Sequence, residues 1–177
     1  MNHRVVVGIS GGIAAYKSAA LVSRLAQRGS DVTVVLTDAA QQFVGPATFS
    51  ALCNRPAVVS AFDPRFPLGP HIELAIDCNL FIVAPATAHI IASCALGLAD
   101  CLLSTLYLNM ECPIVFVPAM STPMWEKQAV VRNVNQLKAD GVHLIGPDSG
   151  WLSCRRMGAG RMSEPDSILA ACERFLV

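Results

Sequence analysis

The chain has 177 residues, of which 53% are hydrophobic, and its 13 Lys and Arg balance 13 Asp and Glu. The zero net charge lacks the basic excess that nucleic acids and anionic membranes attract, so we expect neither as a partner. Mean hydropathy is high at +0.48, but no apolar run reaches the roughly 18 residues that a membrane span needs. We therefore expect the excess of hydrophobic residues to lie in a thick core and in a subunit interface.

Strand and helix patterns alternate along the chain. Runs of apolar and β-branched residues predict strands at residues 4–10, 31–36, 58–59, 80–84, 114–117 and 142–145. Apolar residues at helical spacing predict helices at residues 13–28, 46–52, 90–106, 123–140 and 166–176. Residues 63–70 are predicted as a surface loop and 146–165 as a turn-rich segment. This alternation predicts one domain, residues 1–177, with an α/β fold: a doubly wound parallel sheet of Rossmann or flavodoxin type between two helix layers.

Residues 71–104 contain the feature around which this fold is expected to form its ligand site. The strand at 80–84 ends at Pro85, and a polar turn then leads into a helix. Open α/β sheets bind ligands in the crevice beyond the carboxyl ends of their strands, where helix N-termini offer free backbone N–H groups. A ligand is therefore expected at the turn that follows this strand.

A second loop of this kind, Ser10-Gly11-Gly12, joins the first strand to the first helix. Glycines here let backbone N–H groups approach a phosphate, although a tight turn alone also explains them. The spacing of Gly8, Gly11 and Gly12 departs from G-x-G-x-x-G, which favours a mononucleotide over a nicotinamide dinucleotide. Thr37 ends the second strand, where its hydroxyl either donates to the same phosphate or serves the turn.

His71 and Cys154 are the candidate reactive side chains. His71 opens a predicted helix near the carboxyl edge of the sheet, where the helix dipole favours a neutral imidazole that acts as a base or hydrogen-bond partner; a surface or capping residue is the alternative. Cys154 precedes Arg155 and Arg156, whose charges favour a thiolate. The other six cysteines lie in helix or strand patterns and are expected in the core.

The cysteines and the N-terminus also indicate the cellular compartment. Seven cysteines, an odd number without a C-x-x-C pair, argue against a disulfide framework or a structural zinc site. The N-terminal segment MNHRVVVG lacks the features of a secretory signal. We therefore expect a cytoplasmic location and no bound metal.

Several long motifs occur in order from the first strand to the last helix: GISGGIAAYKS at 8–18, HIELA at 71–75, PATAHIIASCALGLADCLLSTL at 85–106, PAMSTPMW at 118–125, RN at 132–133 and IGPDSGWLSCRRMGAGRMSEP at 145–165. In these motifs the chain resembles the homo-oligomeric flavin-containing cysteine decarboxylases, most closely the phosphopantothenoylcysteine decarboxylases of coenzyme A biosynthesis. The resemblance implies an FMN-dependent decarboxylation of a cysteine-derived carboxylate. In that reaction, oxidation to a thioaldehyde lets carbon dioxide leave, and reduction follows. The resemblance further implies a homo-oligomer, either a trimer or a multiple of trimers.

The resemblance also implies roles for individual residues. His71 and Cys154 match the active-site histidine and the cysteine that protonates the enethiol product. Ser121, Met124 and Arg155 fall at substrate-binding positions. The residues implied as the FMN shell are Gly11, Gly12, Ile13, Thr37, Phe43, Thr87, Ala88, His89, Ile90 and Met120.

Three of these positions depart from the family pattern. Ser121 replaces an asparagine that holds the substrate carboxyl, and its hydroxyl offers one donor, so that contact would be lost or taken over by a water. His89 replaces an asparagine next to the flavin, and Arg155 replaces the glycine after the cysteine. These changes suggest either a divergent decarboxylase or a flavoprotein for another substrate.

Other functions stay open on the residues alone. They are a peptidyl-cysteine decarboxylase, a pterin-type flavin reductase and a non-catalytic regulatory subunit. A prenyl-flavin synthase is disfavoured, because the sequence shows no basic cluster near Ser10-Gly11-Gly12 for a second phosphate.

Overall fold

The computed structural model describes residues 3–176. Its strands are β1 Arg4–Ile9, β2 Asp31–Leu36, β3 Leu80–Ala86, β4 Ile114–Pro118, β5 His143–Leu144, β6 Asp148–Trp151 and β7 Met157–Arg161. Its helices are α1 Ala15–Gln27, α2 Asp38–Gln41, α3 Pro46–Cys53, α4 Pro70–Glu73, α5 Ala88–Ala95, α6 Leu102–Asn109, α7 Thr122–Trp125, α8 Gln128–Ala139 and α9 Pro165–Cys172, the last followed by a 3₁₀ turn at Glu173–Phe175. Within residues 3–176, no helix has the length and apolar character needed to cross a membrane.

Five strands form one parallel sheet in the order β2-β1-β3-β4-β5. Val5 in β1 is paired with Val32 on one side and with Leu80 on the other. The residues near 58–59, predicted as a strand, contribute only a single bridge from Val58 to Val35. The strand order is the doubly wound order of flavodoxin-like folds, so the predicted fold class is confirmed.

Strand β3 is buried at all seven residues because helices cover both faces of the sheet. Successive side chains alternate between the faces. Ile82 packs in the core formed with α1 and α9, whereas Phe81 and Val83 pack in the core formed with α5, α6 and α8. Burial of each such side chain contributes about 1.5–3 kcal/mol, so the centre of the sheet is a firm support for the loops at its ends.

The prediction of a single helix at 90–106 is wrong, because the chain forms α5 and α6 there. Gly97 has a positive φ of 67°, and its N–H donates to the Cys94 carbonyl at 3.1 Å, as at a glycine-terminated helix end. Asp100 then accepts a hydrogen bond from the Ser104 hydroxyl at 2.8 Å, in the first turn of α6. Apolar residues keep their helical spacing on both sides of the break, which explains the error.

The helix predicted at 123–140 is also divided. Between α7 and α8, Lys127 has an extended backbone with φ −66° and ψ 130°. Helix α7 is therefore a short helix of four residues that begins after Ser121, in the chain that follows β4. This division keeps Ser121 and Met124 at the carboxyl edge of the sheet.

The segment 146–165, predicted as turn-rich, contains an antiparallel hairpin of β6 and β7. Two hydrogen bonds fix it to the chain after β4: the Met120 N–H donates to the Gly160 carbonyl at 2.9 Å, and the Thr122 hydroxyl donates to the Ala159 carbonyl at 2.6 Å. Gly160 has a φ of +126°, and a Cβ there would lie 2.2 Å from the Met120 carbonyl oxygen, so the position requires glycine. Small residues dominate β7, and the apolar alternation that identifies a strand is missing.

Candidate active site

A cavity of about 910 Å³ opens at the carboxyl edge of the sheet. Its walls come from α1, from the loops after β1, β3 and β4, and from the hairpin, as represented by Gly11, Thr87, Met120 and Cys154. Small-molecule sites typically have volumes of about 300–1,000 Å³. The fold therefore brings segments that are far apart in sequence to one site of suitable size.

One wall is formed by the turns after β1 and β3, which a buried serine joins. The Ser10 hydroxyl donates to the Pro85 carbonyl at 2.7 Å and accepts from the Thr87 N–H at 3.0 Å. Thr87 is also the N-cap of α5, and its hydroxyl accepts from the Ile90 N–H at 3.5 Å. The positive end of the α5 dipole is therefore held in a defined place in this wall. Sequence reasoning assigned no role to Ser10, although its position at a strand end before two glycines was a usable signal.

Gly11 and Gly12 in the first loop differ in the space that a side chain would find at each position. A Cβ on Gly11 would lie 2.3 Å from the Ala39 Cβ and 2.8 Å from the Ala39 carbonyl carbon. A Cβ on Gly12 would meet only the Thr87 methyl group, at 3.4 Å. Close packing inside the protein thus explains Gly11, whereas Gly12 is the position with room for a ligand to approach.

The structure places six residues of the predicted FMN shell at the cavity: Gly11, Ile13, Thr87, Ala88, His89 and Met120. Gly12, Thr37, Phe43 and Ile90 do not line it in the single described chain. The Thr37 hydroxyl accepts from the Ala40 N–H at 3.2 Å and so serves the turn that begins α2. The Ile90 side chain is fully buried in the core. For these four positions, cofactor contact stays a prediction.

His89 lies at the mouth of the cavity, where its side chain is 75% exposed. Its Nε2 atom is 3.6 Å from Asp100 Oδ2. Hydrogen bonds from Ser104 and, to a smaller extent, Ser93 lower the pKa of the Asp100 carboxyl, so that this group is anionic at neutral pH. Asp100, which the sequence showed only as the end of an apolar run, is thus an anionic neighbour for the His89 imidazole.

The opposite wall is the hairpin, whose tip carries Cys154. The thiol is exposed and lines the cavity. The tip is closed by two hydrogen bonds of 2.9 Å, from the Leu152 N–H to the Arg156 carbonyl and from the Arg155 N–H to the Leu152 carbonyl. Arg155 has a φ of 63°, a conformation that glycine adopts without strain. Arg155 is a turn residue and does not line the cavity of the described chain, so its substrate-binding position stays a prediction.

Ser121 and Met124, the other two predicted substrate-binding residues, do line the cavity. Ser121 is the N-cap residue of α7, yet its hydroxyl forms no capping hydrogen bond. The hydroxyl is therefore free to bond to a ligand as donor or acceptor.

Three cationic side chains, Lys17, Arg24 and Arg161, also line the cavity. Lys17 Nζ and Arg161 Nη2 donate to Glu164 Oε1 at 2.9 and 2.6 Å, and Lys17 above all lowers the pKa of this carboxyl. Arg161 Nε is buried and has no hydrogen-bond partner among residues 3–176. A buried donor of this kind is costly unless a ligand or water satisfies it. Arg24 is in turn paired with Asp166 at 2.9 Å, so the three cations exceed the two carboxylates by one charge, which suits an anionic ligand group.

His71 does not line the cavity of the described chain. It is the second residue of α4, as its predicted helix-start position requires, and its carbonyl accepts from the Asn109 side-chain amide at 3.0 Å. Asn109 is the last residue of α6. The nearby apolar side chains of Leu68, Ile72 and Leu108 are 64%, 37% and 52% exposed. A single chain thus does not bring His71 to the crevice together with Cys154.

Comparison with known families identifies the chain's family. The family model described as Flavoprotein matches residues 1–176. The chain belongs to the Flavoprotein family.

Among its relatives, the coenzyme A biosynthesis bifunctional protein CoaBC of Vibrio vulnificus (strain YJ016) is 43% identical over 173 residues, which are 97% of this chain and 43% of the relative. CoaBC of Bacillus subtilis (strain 168) is 41% identical over 174 residues, 98% of this chain and 43% of the relative. The chain spans less than half the length of these relatives.

Solved structures of similar proteins cover nearly the whole chain. A PPC decarboxylase variant complexed with pantothenoylaminoethenethiol has a TM-score of 0.88 and 25% identity, over 99% of each chain. The FMN-dependent cysteine decarboxylase SpaF has a TM-score of 0.84 and 28% identity, over 99% of this chain and 98% of SpaF. The Flavoprotein fold of this chain is therefore that of known flavin-dependent decarboxylases.

Proposed function

We propose that the chain decarboxylates phosphopantothenoylcysteine to phosphopantetheine with FMN as cofactor, a step of coenzyme A biosynthesis, and that it does so in the cytoplasm. Relatives named for coenzyme A biosynthesis match nearly all of the chain, and a PPC decarboxylase shares its fold. The observation that carries the proposal is a single cavity that joins the turn from Thr87 to His89 with the Cys154 thiol.

The residues around the cavity fit FMN. Thr87 caps α5 and holds the positive end of its dipole in the wall, where an anionic group is stabilised. Gly12 leaves room for close approach, and about 910 Å³ is ample for a ring system with a substrate beside it. When bound, FMN supplies a two-electron acceptor for the thiol-bearing carbon of the substrate and returns these electrons after the carboxyl group has left.

Cys154 is proposed as the proton donor. Its thiol is exposed on the cavity side of a hairpin that hydrogen bonds attach to the end of β4. The S–H bond breaks, and its proton passes to the carbon atom of the enethiolate from which carbon dioxide has left. A thiol suits this step because an S–H group gives up its proton more readily than a hydroxyl does and can regain it from solvent in each turnover.

Ser121 is proposed to bind the substrate carboxylate. Its hydroxyl lies in the cavity and is not used for capping. One hydroxyl donor holds a carboxylate less firmly than the two N–H groups of an amide. Weak binding of this group is compatible with catalysis, because the carboxylate is present in the ground state and leaves during the reaction.

The cations around Glu164 are proposed to bind the phosphate of the substrate. Lys17 and Arg161 share one carboxylate, and Arg161 Nε has no partner in the described chain. Arginine and lysine N–H groups form strong charge-assisted hydrogen bonds to phosphate oxygens. A peptide substrate lacks this phosphate, so the cluster favours phosphopantothenoylcysteine.

His71 is proposed to act across a subunit boundary in a homo-oligomer, a trimer or a multiple of trimers. Within one chain His71 lies beside the end of α6 and does not line the cavity. The exposed Leu68, Ile72 and Leu108 form an apolar surface of the kind that subunit contacts cover. A neighbouring copy that packs on this surface would place its own cavity beside His71.

The test is to supply the purified chain, loaded with FMN, with phosphopantothenoylcysteine. We expect a yellow protein that releases FMN and not FAD on denaturation, and formation of carbon dioxide and phosphopantetheine. Pantothenoylcysteine without phosphate is the matched substrate and should react with a lower kcat/KM. A protein that takes up no FMN contradicts the cofactor; a loaded protein without product at millimolar substrate contradicts the reaction.

Peptidyl-cysteine decarboxylation is the second candidate. SpaF, described as an FMN-dependent cysteine decarboxylase, shares 28% identity with the chain, against 25% for the PPC decarboxylase structure. A peptide with a C-terminal cysteine separates the two candidates. Turnover of the peptide together with no turnover of phosphopantothenoylcysteine would select the second.

A further inference from the structure

Glu164 joins two of the cavity's cations to each other. It is the N-cap residue of α9, and its Oε1 atom accepts from Lys17 Nζ at 2.9 Å and from Arg161 Nη2 at 2.6 Å. Lys17 belongs to α1, and Arg161 is the last residue of β7, so one carboxylate connects α1 to the hairpin. The function proposed above assigns the substrate phosphate to the two cations and gives Glu164 no role of its own.

The shared oxygen keeps the two cations close together. Since both nitrogens contact Oε1, Lys17 Nζ and Arg161 Nη2 lie at most 5.5 Å apart. Two positive charges at this distance repel each other, and an anion between them offsets the repulsion. One phosphate group offers several oxygens, so it can accept from both nitrogens at once when they are held this close.

Glu164 is the acidic partner of both cations among residues 3–176. Lys17 Nζ also donates to the Met162 carbonyl at 3.0 Å, and the Lys17 side chain is only 11% exposed. Arg161 runs along β6 at Gly150, where a Cβ would lie 3.0 Å from Arg161 Nη1. These neutral contacts restrict the two side chains but do not offset their charges, so the repulsion between them is balanced by Glu164 alone.

Both cations keep donors for a ligand. An ammonium group has three N–H bonds, and Lys17 uses two of them, for Glu164 and the Met162 carbonyl. Arg161 Nε is buried and has no hydrogen-bond partner in the described part of the chain. The hydrogen bond from Lys17 lowers the pKa of Glu164, so this carboxyl is anionic at neutral pH. The three side chains therefore carry one net positive charge and have free N–H groups.

We propose that Glu164 is a positioning residue, which holds Lys17 and Arg161 as one phosphate-binding pair and so sets the preference for a phosphorylated substrate. The inference rests on the function proposed above for the cavity. Removal of a negative charge beside a phosphate site ordinarily tightens phosphate binding, because a repulsion is lost. If Glu164 positions the two cations, its removal weakens phosphate binding instead.

The experiment compares the binding of phosphopantetheine with that of pantetheine, which lacks the phosphate. Calorimetry on the purified chain gives a Kd for each compound, and the ratio of the two Kd values measures phosphate recognition. We expect the parent chain to bind phosphopantetheine about tenfold more tightly, and Glu164→Ala to lower this ratio by about fivefold. Both compounds are measured on the same preparation, so partial unfolding of a variant does not change the ratio.

Asp166→Ala is the matched control. Asp166 lies in the first turn of the same helix and pairs with another cavity cation, Arg24, at 2.9 Å. Its removal also deletes one negative charge but leaves Lys17 and Arg161 in place, so the ratio should stay equal to that of the parent chain or rise.

A double variant tests whether Glu164 acts through Lys17. Lys17→Met should lower the ratio as Glu164→Ala does. The combined variant should lose less than the product of the two single effects, because the two residues belong to one unit.

The inference is overturned by a Glu164→Ala ratio at or above that of the parent chain, by an equal fall in Asp166→Ala, or by single effects that multiply in the double variant. Equal binding of both compounds by the parent chain contradicts the phosphate site together with the role of Glu164. The expected ratios in a chain without decarboxylase activity would contradict the proposed reaction and support the inference. Decarboxylation with a ratio that Glu164→Ala does not lower would contradict the inference alone.

Discussion

The two walls of the cavity are built in different ways. The wall after β1 and β3 is part of the core: Ser10 is 2% exposed and joins both turns, and Gly11 packs against Ala39. The hairpin wall projects from the sheet, and its Trp151 and Met157 side chains are 60% and 72% exposed. The difference indicates that the wall proposed to hold the cofactor folds with the core, whereas the wall proposed to face the substrate is an attached element with exposed side chains at its tip.

The largest expected effect comes from Cys154→Ser on the hairpin wall. Loss of a positioned proton donor should lower kcat by about 10²–10⁴, because a serine hydroxyl is a much weaker acid. FMN binding and Tm should stay unchanged, since the Cys154 side chain is exposed. Steady-state decarboxylation, flavin absorbance and thermal unfolding measure the three quantities.

The matched control is Cys53→Ser, on α3 and away from the cavity, which should keep full activity. A Cys154→Ser variant that loses its FMN would show that the hairpin wall also supports the cofactor. In that case the division between the two walls would not hold.

Gly11→Ala tests the core wall. The new Cβ would lie 2.8 Å from a backbone carbon of Ala39, which cannot move as a side chain does. We expect a loss of about 3 kcal/mol in the free energy of unfolding, together with weaker FMN binding. Gly12→Ala is the matched control for stability alone, because its Cβ would meet only a methyl group at 3.4 Å. Denaturant unfolding measures both, and equal losses would contradict the distinction between the two glycines.

Ser10→Ala should have a smaller effect on the same wall. It leaves the Thr87 N–H without its buried partner, and the Pro85 carbonyl keeps only the longer bond of 3.4 Å from the Ser10 backbone N–H, at a cost of about 1–2 kcal/mol. The N-terminus of α5 should become less well held, so the Kd for FMN should rise. If Ser10→Ala leaves the Kd for FMN unchanged, the hydrogen bonds of Ser10 are not needed to position the cofactor.

Ser121→Ala, in the wall proposed to face the substrate, should leave the free energy of unfolding and FMN binding unchanged while KM rises.

The smallest expected effect is the pH dependence caused by Asp100 at the rim of the core wall. Its carboxyl has a folded-state pKa below the ordinary value of 3.8, mainly because of the Ser104 hydroxyl. The stability that this group contributes is therefore present above pH 3.8 and is lost as the pH falls through the lower folded-state value. In thermal unfolding, Asp100→Asn should lower Tm slightly at pH 6, and the difference from the parent chain should shrink below about pH 4. A difference that is constant across this range would contradict the assignment.

Several features of the site were predictable from local pattern. The apolar strand before Pro85 and the glycines after β1 predicted a crevice at the carboxyl edge, and a cavity is found there. The helix end at Gly97 was missed, because apolar residues keep their helical spacing on both sides of this glycine. The hairpin was missed because β7 is mostly small residues whose partner is the chain after β4.

The order of apolar runs along the chain, by itself, determined the layered fold and the edge of the sheet that holds the cavity. Burial of strands and helix faces depends on local periodicity, and periodicity can be read in one dimension. Only the tertiary structure decided that Arg161 meets Lys17 at Glu164, that His71 stays out of the cavity of its own chain, and that the Cys154 thiol lines the same cavity as Thr87. These outcomes depend on distances between residues far apart in sequence, which strand order and register set and no local pattern records.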